Sequence, residues 1–272
     1  MGTVSKAEWF KRDRISPHRR VWQYRELLYS LVIRNLKIKY QRSLLGFFWT
    51  LLNPLLTATV LIVVFSYVVR IQTEHYWAFL LSGYFVWNFV SQMLHSSTYV
   101  LREHAQLLHS VAFPKEVLIL STTVFRLVEF GVEMFIALLI LIVFHHGAIP
   151  SSFVLLPLLV LLQVLIAMGL VMAVSTLSVF FQDVHHMIPI GLLMLFYLSP
   201  VFYPVEMVPE TIRSFYFLNP IAGLLTLYHS AIFKGLWPPS DLLWNMSIAA
   251  FLISIAGYGI FNRYKALYAE II

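Results

Sequence analysis

Three charged residues stand out in an otherwise apolar stretch. Arg126, Glu129 and Glu133 occupy positions i, i+3 and i+7 of the run Val117–Phe144. This spacing puts all three on one face of a helix. A charge in hydrocarbon is costly, so such residues turn toward protein or water. Arg126 and Glu129 can pair along the helix. Glu133 is then left needing a proton or another partner. Two chemistries fit: a proton-coupled carrier working through Glu133, or an intramembrane charge network that holds helices together.

Other reactive constellations are missing from the sequence. His145-His146 and His185-His186 fall at opposite ends of apolar runs, with Asp183 as the nearby acid. Adjacent helical residues diverge by about 100°, so no metal site is expected. There is no cysteine, which excludes disulfides and thiolate metal sites. No G-x-x-x-x-G-K-[ST] loop is present to cradle nucleotide phosphates. No nucleophile–base arrangement or paired catalytic carboxylates occur, so the chain is not expected to be an enzyme. It is expected to hold no cofactor of its own.

The elements carrying these residues are built for lipid. Hydrophobic residues make up 60% of the 272-residue chain and charged residues 12%, against about 45–50% and 25% in soluble domains. Six apolar runs approach or exceed the roughly 20 residues needed to cross hydrocarbon. They are Gly46–Val69, Trp77–Leu101, Val117–Phe144, Phe153–Phe181, Met187–Tyr203 and Leu243–Phe261. The fifth is the shortest, and Pro189, Pro200 and Pro204 punctuate it, which predicts a kinked or broken helix. The expected fold is an all-α integral membrane protein. Residues 1–45 form a cytoplasmic N-terminal region and residues 46–272 a six-span domain. No internal repeat, low-complexity tract or signal-peptide pattern is visible.

Charge asymmetry sets the orientation. With the N-terminus inside, fifteen Lys and Arg lie on the cytoplasmic side and three, Arg70, Arg213 and Lys234, lie opposite. Both termini are therefore expected in the cytoplasm. Within the basic N-terminal region, Leu27, Leu28, Leu31, Val32 and Leu36 recur at helical spacing in Arg25–Lys39, while Arg34, Lys37 and Gln41 lie on another face. That pattern predicts an interfacial amphipathic helix with basic residues toward anionic headgroups.

Four strings in order, "YQRSLLGFFWTLLNPLL", "SVAFPKEVLILSTTV", "STLSVFFQDVHHMIPIGLLMLFYLSPVFYP" and "FYFLNPI", resemble the membrane subunit of ABC-2-type polysaccharide exporters. That family moves O-antigen, capsular polysaccharide and teichoic acid. The resemblance implies a homodimer bound to two copies of a separate ATPase, which would hold the ATP and Mg. It also implies a bacterial plasma-membrane location and a polysaccharide substrate linked to undecaprenyl pyrophosphate. Nucleic acid is not among the expected partners. Two rivals remain open: an ABC-2 permease for a small lipid or drug, and the carrier using Glu133.

The resemblance also assigns roles to particular residues. The loop Arg102–Glu116 matches a coupling region that docks on the ATPase, with Arg102, Glu103, Phe113 and Pro114 as its contacts. A helix-like stretch is expected over Glu103–Val111. Asp183 in "FQDVHH" occupies a second docking position. Lys39, Arg42 and Ser43 stand where a short re-entrant turn borders the way in for the lipid pyrophosphate. Arginine suits that group because its planar fork donates paired hydrogen bonds to anionic oxygens. The alternative is an Arg42 that snorkels to phospholipid headgroups. Asn53-Pro54 is expected to allow a bend in the first span.

Aromatic residues supply the remaining expectations. Trp49, Phe196 and Tyr197 are candidates to line a sugar-conducting channel, since aromatic faces pack on the apolar faces of sugars. Trp77 and Tyr203, near span ends, read better as an interfacial belt. The connection Pro204–Leu242 is far longer than a typical loop. Its apolar pieces Ile212–Leu218 and Ile221–Phe233 flank Asn219-Pro220 and are expected to form short re-entrant helices.

Overall fold

The computed structural model describes residues 22–40, 46–110, 113–144, 146–147 and 149–272. Among these residues every regular element is helical. Helix α1 is Arg25–Tyr40. Helix α2, Trp49–Val63, follows a 3₁₀ turn and continues as a π-helical turn over Val64–Val68. Helix α3 is Tyr76–Ser97, and two short helices, α4 (Val100–Glu103) and α5 (Ala105–Ser110), come next. Helix α6 spans Glu116–Phe144, α7 Leu156–Phe180 and α8 Val184–Tyr197. Helices α9 (Glu210–Tyr216) and α10 (Pro220–Tyr228) precede α11 (Ser240–Tyr264) and α12 (Tyr268–Ile271).

Four stretches are long and apolar enough to cross a membrane: Trp49–Val68, Glu116–Phe144, Ser151–Phe180 and Ser240–Tyr264. The protein is an integral membrane protein. The second expected span is a helix of 22 residues, but Ser82, Asn88, Ser91, Gln92, His95 and Ser96 lower its apolarity. It lies at the centre of the bundle, with Ala78, Leu80, Val86, Val90 and Met93 fully enclosed. Helices α2, α6, α7, α8 and α10 all pack against it. A helix covered by protein on most sides does not need a uniformly apolar surface.

The fifth expected span is shorter than Met187–Tyr203. Helix α8 has 14 residues and stops at Tyr197, because the prolines at 200 and 204 cannot continue it. Pro189 sits inside α8. Pro54 likewise sits inside α2, which runs on through it. The Thr57 hydroxyl donates to the Asn53 carbonyl at 3.1 Å. The two apolar pieces of the long connection do form short helices. Asn219 caps α10 by accepting from the Ile221 amide at 3.0 Å, with Pro220 at the first helical position.

Helix α1 turns its apolar face toward protein. Leu31 and Val32 are buried and the helix packs on α6, while Arg34 and Lys37 are on its more accessible side. Gln41 lies outside the described residues. The tightest contact in the bundle joins α7 to α11. A Cβ on Gly257 would lie 1.9 Å from the Gly169 carbonyl oxygen, and one on Gly169 would lie 2.4 Å from that of Ile253. Only a residue without a side chain lets the two backbones approach this closely, as small residues do between membrane helices.

Candidate functional site: a polar cavity inside the bundle

Helices α2, α3 and α6, with the end of α1, border a cavity of about 380 Å³ that is open to its surroundings. Its lining includes Lys39, Trp49, Asn53, Asn88, Arg126 and Glu133. The charges of α6 meet partners from two other helices there. Arg126 Nη1 donates to Glu129 Oε2 at 2.8 Å, and Lys39 Nζ reaches Glu129 Oε1 at 2.6 Å. One carboxylate is thus gripped by a cation on each oxygen. Arg126 Nη2 donates to Ser96 Oγ at 2.8 Å. Asn88 Nδ2 donates to both oxygens of Glu133, at 3.1 and 3.2 Å.

The side chain of Glu129 is only 6% exposed and that of Lys39 43%. Pairing and hydrogen bonding are what allow such carboxylates to be buried. The partner that Glu133 lacks within its own helix is therefore an amide of α3, and Glu129 is shared between cations of α6 and α1. Chemically, the cavity is lined by two cations, two carboxyl groups and the amides of Asn53, Asn88 and Gln92. Arg42 and Ser43, assigned with Lys39 to the way in for the substrate, lie outside the described residues, as does most of the turn Ser43–Gly46.

The two loops assigned to ATPase docking come together on one face. Arg102 Nη2 donates to the Ser178 carbonyl at 3.0 Å, which ties the first loop to the end of α7. Tyr99 stacks on His185 at 4.6 Å between ring centroids. Glu103 and Asp183 are exposed, and Phe113 and Pro114 half-buried. The stretch expected as one helix from Glu103 is instead two, α4 and α5, with His104 between them. His104 folds back onto the Val100 carbonyl at 2.9 Å. Residues 111 and 112 lie outside the described residues.

The chain's end joins this face, a feature that no local sequence pattern announces. Lys265 Nζ reaches Glu116 Oε1 at 2.6 Å. Lys115 Nζ donates to the Lys265 carbonyl. The buried Tyr268 hydroxyl meets Thr176 Oγ1 at 2.6 Å. Together these bonds lash the start of α6 and the last turns of α7 to the segment that ends the chain.

The aromatic candidates separate. Trp49 lines the polar cavity and is half exposed. Phe196 packs into the core against Trp87 and Phe202, at 5.5 and 5.2 Å. Tyr197 is exposed, and its carbonyl accepts from the Tyr203 hydroxyl at 2.9 Å. Trp77 meets Phe144 edge-on at 5.4 Å. Phe196 and Tyr197 do not share the cavity that Trp49 lines. A second cavity, of about 370 Å³, opens near the other end of α3, between Phe79, His229 and the Glu206–Lys234 ion pair.

Asn88, Gln92 and Ser96 are the other residues that sequence reasoning overlooked. A signal existed: Tyr84, Asn88, Gln92 and Ser96 recur every four residues along one apolar run. Such a polar stripe belongs to one helical face.

Comparison with known proteins agrees with this architecture. The ABC-2 type transporter family matches residues 26–233, from α1 to the end of the α10 region. The O-antigen export system permease protein RfbA of Myxococcus xanthus is 31% identical over 255 residues, covering 93% of this chain and 97% of that protein. Its namesake in Klebsiella pneumoniae is 29% identical over 249 residues, covering 91% and 95%. The polysialic acid transport protein KpsM of Escherichia coli is 20% identical over 209 residues, covering 76% and 81%. With a family match across most of its length and relatives aligned nearly end to end, this chain belongs to the ABC-2 type transporter family.

Proposed function

We propose that the chain is the permease half of an ATP-driven exporter that moves lipid-linked polysaccharide across the bacterial plasma membrane. The observation that carries this reading is the near end-to-end similarity to permeases named for O-antigen export. The polar cavity adds support, since a bundle built only for anchoring has no use for buried charge around open space. In this reading the chain spans six times with both termini cytoplasmic. The short helices α9 and α10 dip into the outer leaflet. The working unit is a homodimer with two copies of a separate ABC ATPase, which binds ATP and Mg.

The site roles follow. Lys39, Arg42 and Ser43 receive the undecaprenyl pyrophosphate at the cytoplasmic side, and Trp49, Phe196 and Tyr197 contact the glycan. Arg102, Glu103, Phe113, Pro114 and Asp183 transmit the ATPase stroke. The Arg102–Ser178 and Tyr99–His185 contacts favour this, because they make the two loops one surface.

The test is reconstitution. Purified permease alone should hydrolyse no ATP, whereas co-expression with its ATPase should give a stable two-plus-two complex and restore surface glycan to a strain lacking both genes. Nucleotide turnover by the isolated permease, or surface glycan without the ATPase, would overturn the reading. Arg42→Lys sharpens it further. Incomplete rescue relative to Arg42→Ala indicates bidentate recognition of pyrophosphate, whereas full activity indicates simple snorkelling.

A further inference from the structure

The second cavity, of about 370 Å³, is lined by none of the residues assigned to substrate entry, glycan contact or coupling. Its size falls within the range of about 300–1,000 Å³ that suits small ligands. Three segments form its walls: residues 72–74 between α2 and α3, residues 204–206 after α8, and the end of α10 with the π-helical turn His229–Phe233. Two of these walls depart from regular backbone. Arg70 and His75, which bracket residues 72–74, lie in the left-handed region at φ 58° and 52°, a conformation that costs a residue with a side chain ~1–2 kcal/mol. On another wall the Lys234 amide bonds five residues back to the His229 carbonyl, at 3.0 Å. Such π turns are frequent at functional sites, and unfavourable backbone clusters at ligand sites where the surrounding structure holds it.

The lining combines aromatic rings with polar groups. Phe233 meets Phe79 edge-on at 5.7 Å, and Phe79 stacks on His229 at 4.2 Å. Both His229 nitrogens are engaged, with Ser82 Oγ and with the Pro200 carbonyl, each at 2.8 Å, so its ring supplies shape rather than bonds. Phe233 is the partly exposed ring of the three. The Thr73 hydroxyl and the Glu74 carboxylate have no hydrogen-bond partner among the described residues. Glu206 and Lys234 pair at 2.7 Å and are both well exposed.

This lining selects a chemistry. A hydrocarbon chain has no use for two carboxylates and an ammonium. A phosphoryl anion is repelled, since Glu74 and Glu206 outnumber Lys234 and Glu206 already holds it. A sugar ring has the matching pair of surfaces: C–H faces that pack on an aromatic ring, and hydroxyls that donate to carboxylates in charge-assisted bonds.

We propose that this cavity is a saccharide site on the outer side, where Phe233 packs on a sugar ring of the emerging glycan and Thr73, Glu74 and the Glu206–Lys234 pair bond its hydroxyls. The proposal rests on the export reading and deepens it, by giving the glycan a holding point at the end of its path. A sugar held there resists backward sliding of the chain between strokes of the ATPase.

The sequence contains no cysteine, so single thiols report accessibility. Val205→Cys places one in the cavity wall, and Ser240→Cys places a control at the exposed start of α11, outside the cavity. The full permease–ATPase complex is expressed in cells that make the glycan and in cells that lack its glycosyltransferases, and a membrane-impermeant maleimide is added to spheroplasts. Val205→Cys should label about fivefold more slowly where the glycan is made, because even a weak site meets a tethered chain at ~mM effective concentration. Ser240→Cys should label equally in both.

Glu74→Ala and Phe233→Leu should each bring the two rates for Val205→Cys together. Glu74 is exposed, so that variant folds even where Phe233→Leu disturbs packing. Equal labelling of Val205→Cys in the two backgrounds, or protection undiminished by Glu74→Ala, would overturn the site. Surface glycan in the same cells keeps the two readings apart. Its presence alongside equal labelling would leave the export reading standing, and its absence with the unaltered transporter would overturn that reading together with the site.

Discussion

Two regions of this bundle solve opposite problems. Where α7 crosses α11, Gly169 and Gly257 let backbone meet backbone, and no space remains for even a methyl group. Where α2, α3 and α6 meet beside α1, about 380 Å³ stays open and charged residues line it. The first contact gains dispersion energy from close fit, which is a principal means of joining helices when lipid is as apolar as they are. The second depends on charge pairing and hydrogen bonds around open space. The difference teaches what fixes each contact: the fit of two backbones sets the helix pair, and complementary charge sets the polar junction beside it.

Substitutions should divide along that line. Gly257→Leu is expected to have the largest effect, costing ~3 kcal/mol or more at the upper end of overpacking penalties. Folded protein recovered in mild detergent should fall to near zero, and recovery close to that of the unaltered chain would contradict the crossing. Asn88→Leu comes next. It strips the donor from a Glu133 carboxylate that is 4% exposed, an expected loss of ~1–3 kcal/mol in thermal unfolding of the purified protein. The double change Asn88→Leu with Glu133→Leu should regain most of that loss, because an unpaired polar group costs more than a matched apolar pair. No recovery in the double variant would mean that the cavity needs its charge for stability.

Smaller effects refine the comparison. Glu133→Gln keeps an acceptor for Asn88 while removing the titrating proton. Export of surface glycan should stay close to that of the unaltered chain and should not change its dependence on external pH. Abolished transport would revive the proton-coupled carrier. The smallest expected effect is at Gly131, on α6, where a Cβ would meet open space. Gly131→Ala should be neutral or stabilising by ~0.5–1 kcal/mol, the usual gain within a helix. A glycine is thus indispensable at one helix surface and replaceable at another, which melting of the two variants side by side would show.

Much of the architecture is written in the residue types alone. A composition of 60% hydrophobic residues admits few solvents other than lipid, and helices follow because every backbone polar group must be satisfied within its own segment. The position of α10 is legible in Asn219-Pro220, since an Asn cap followed by proline starts a helix on local grounds. The charged face of α6 is equally plain, because spacing along one helix is a local property.

What lies beyond the sequence is every choice between helices. Spacing can pair Arg126 with Glu129, but it cannot tell that Lys39, far away in the chain, completes the clasp, nor that Asn88 supplies the partner of Glu133. Periodicity places an apolar face on α1 without revealing that the face meets α6, since lipid and protein are equally good solvents for leucine. Apolarity overstates the length of α8, because the apolar run continues past Pro200 while the helix does not. Gly169 and Gly257 look no different in sequence from Gly131. Only the crossing of α7 and α11 decides which glycines matter, because close approach is a property of two backbones at once.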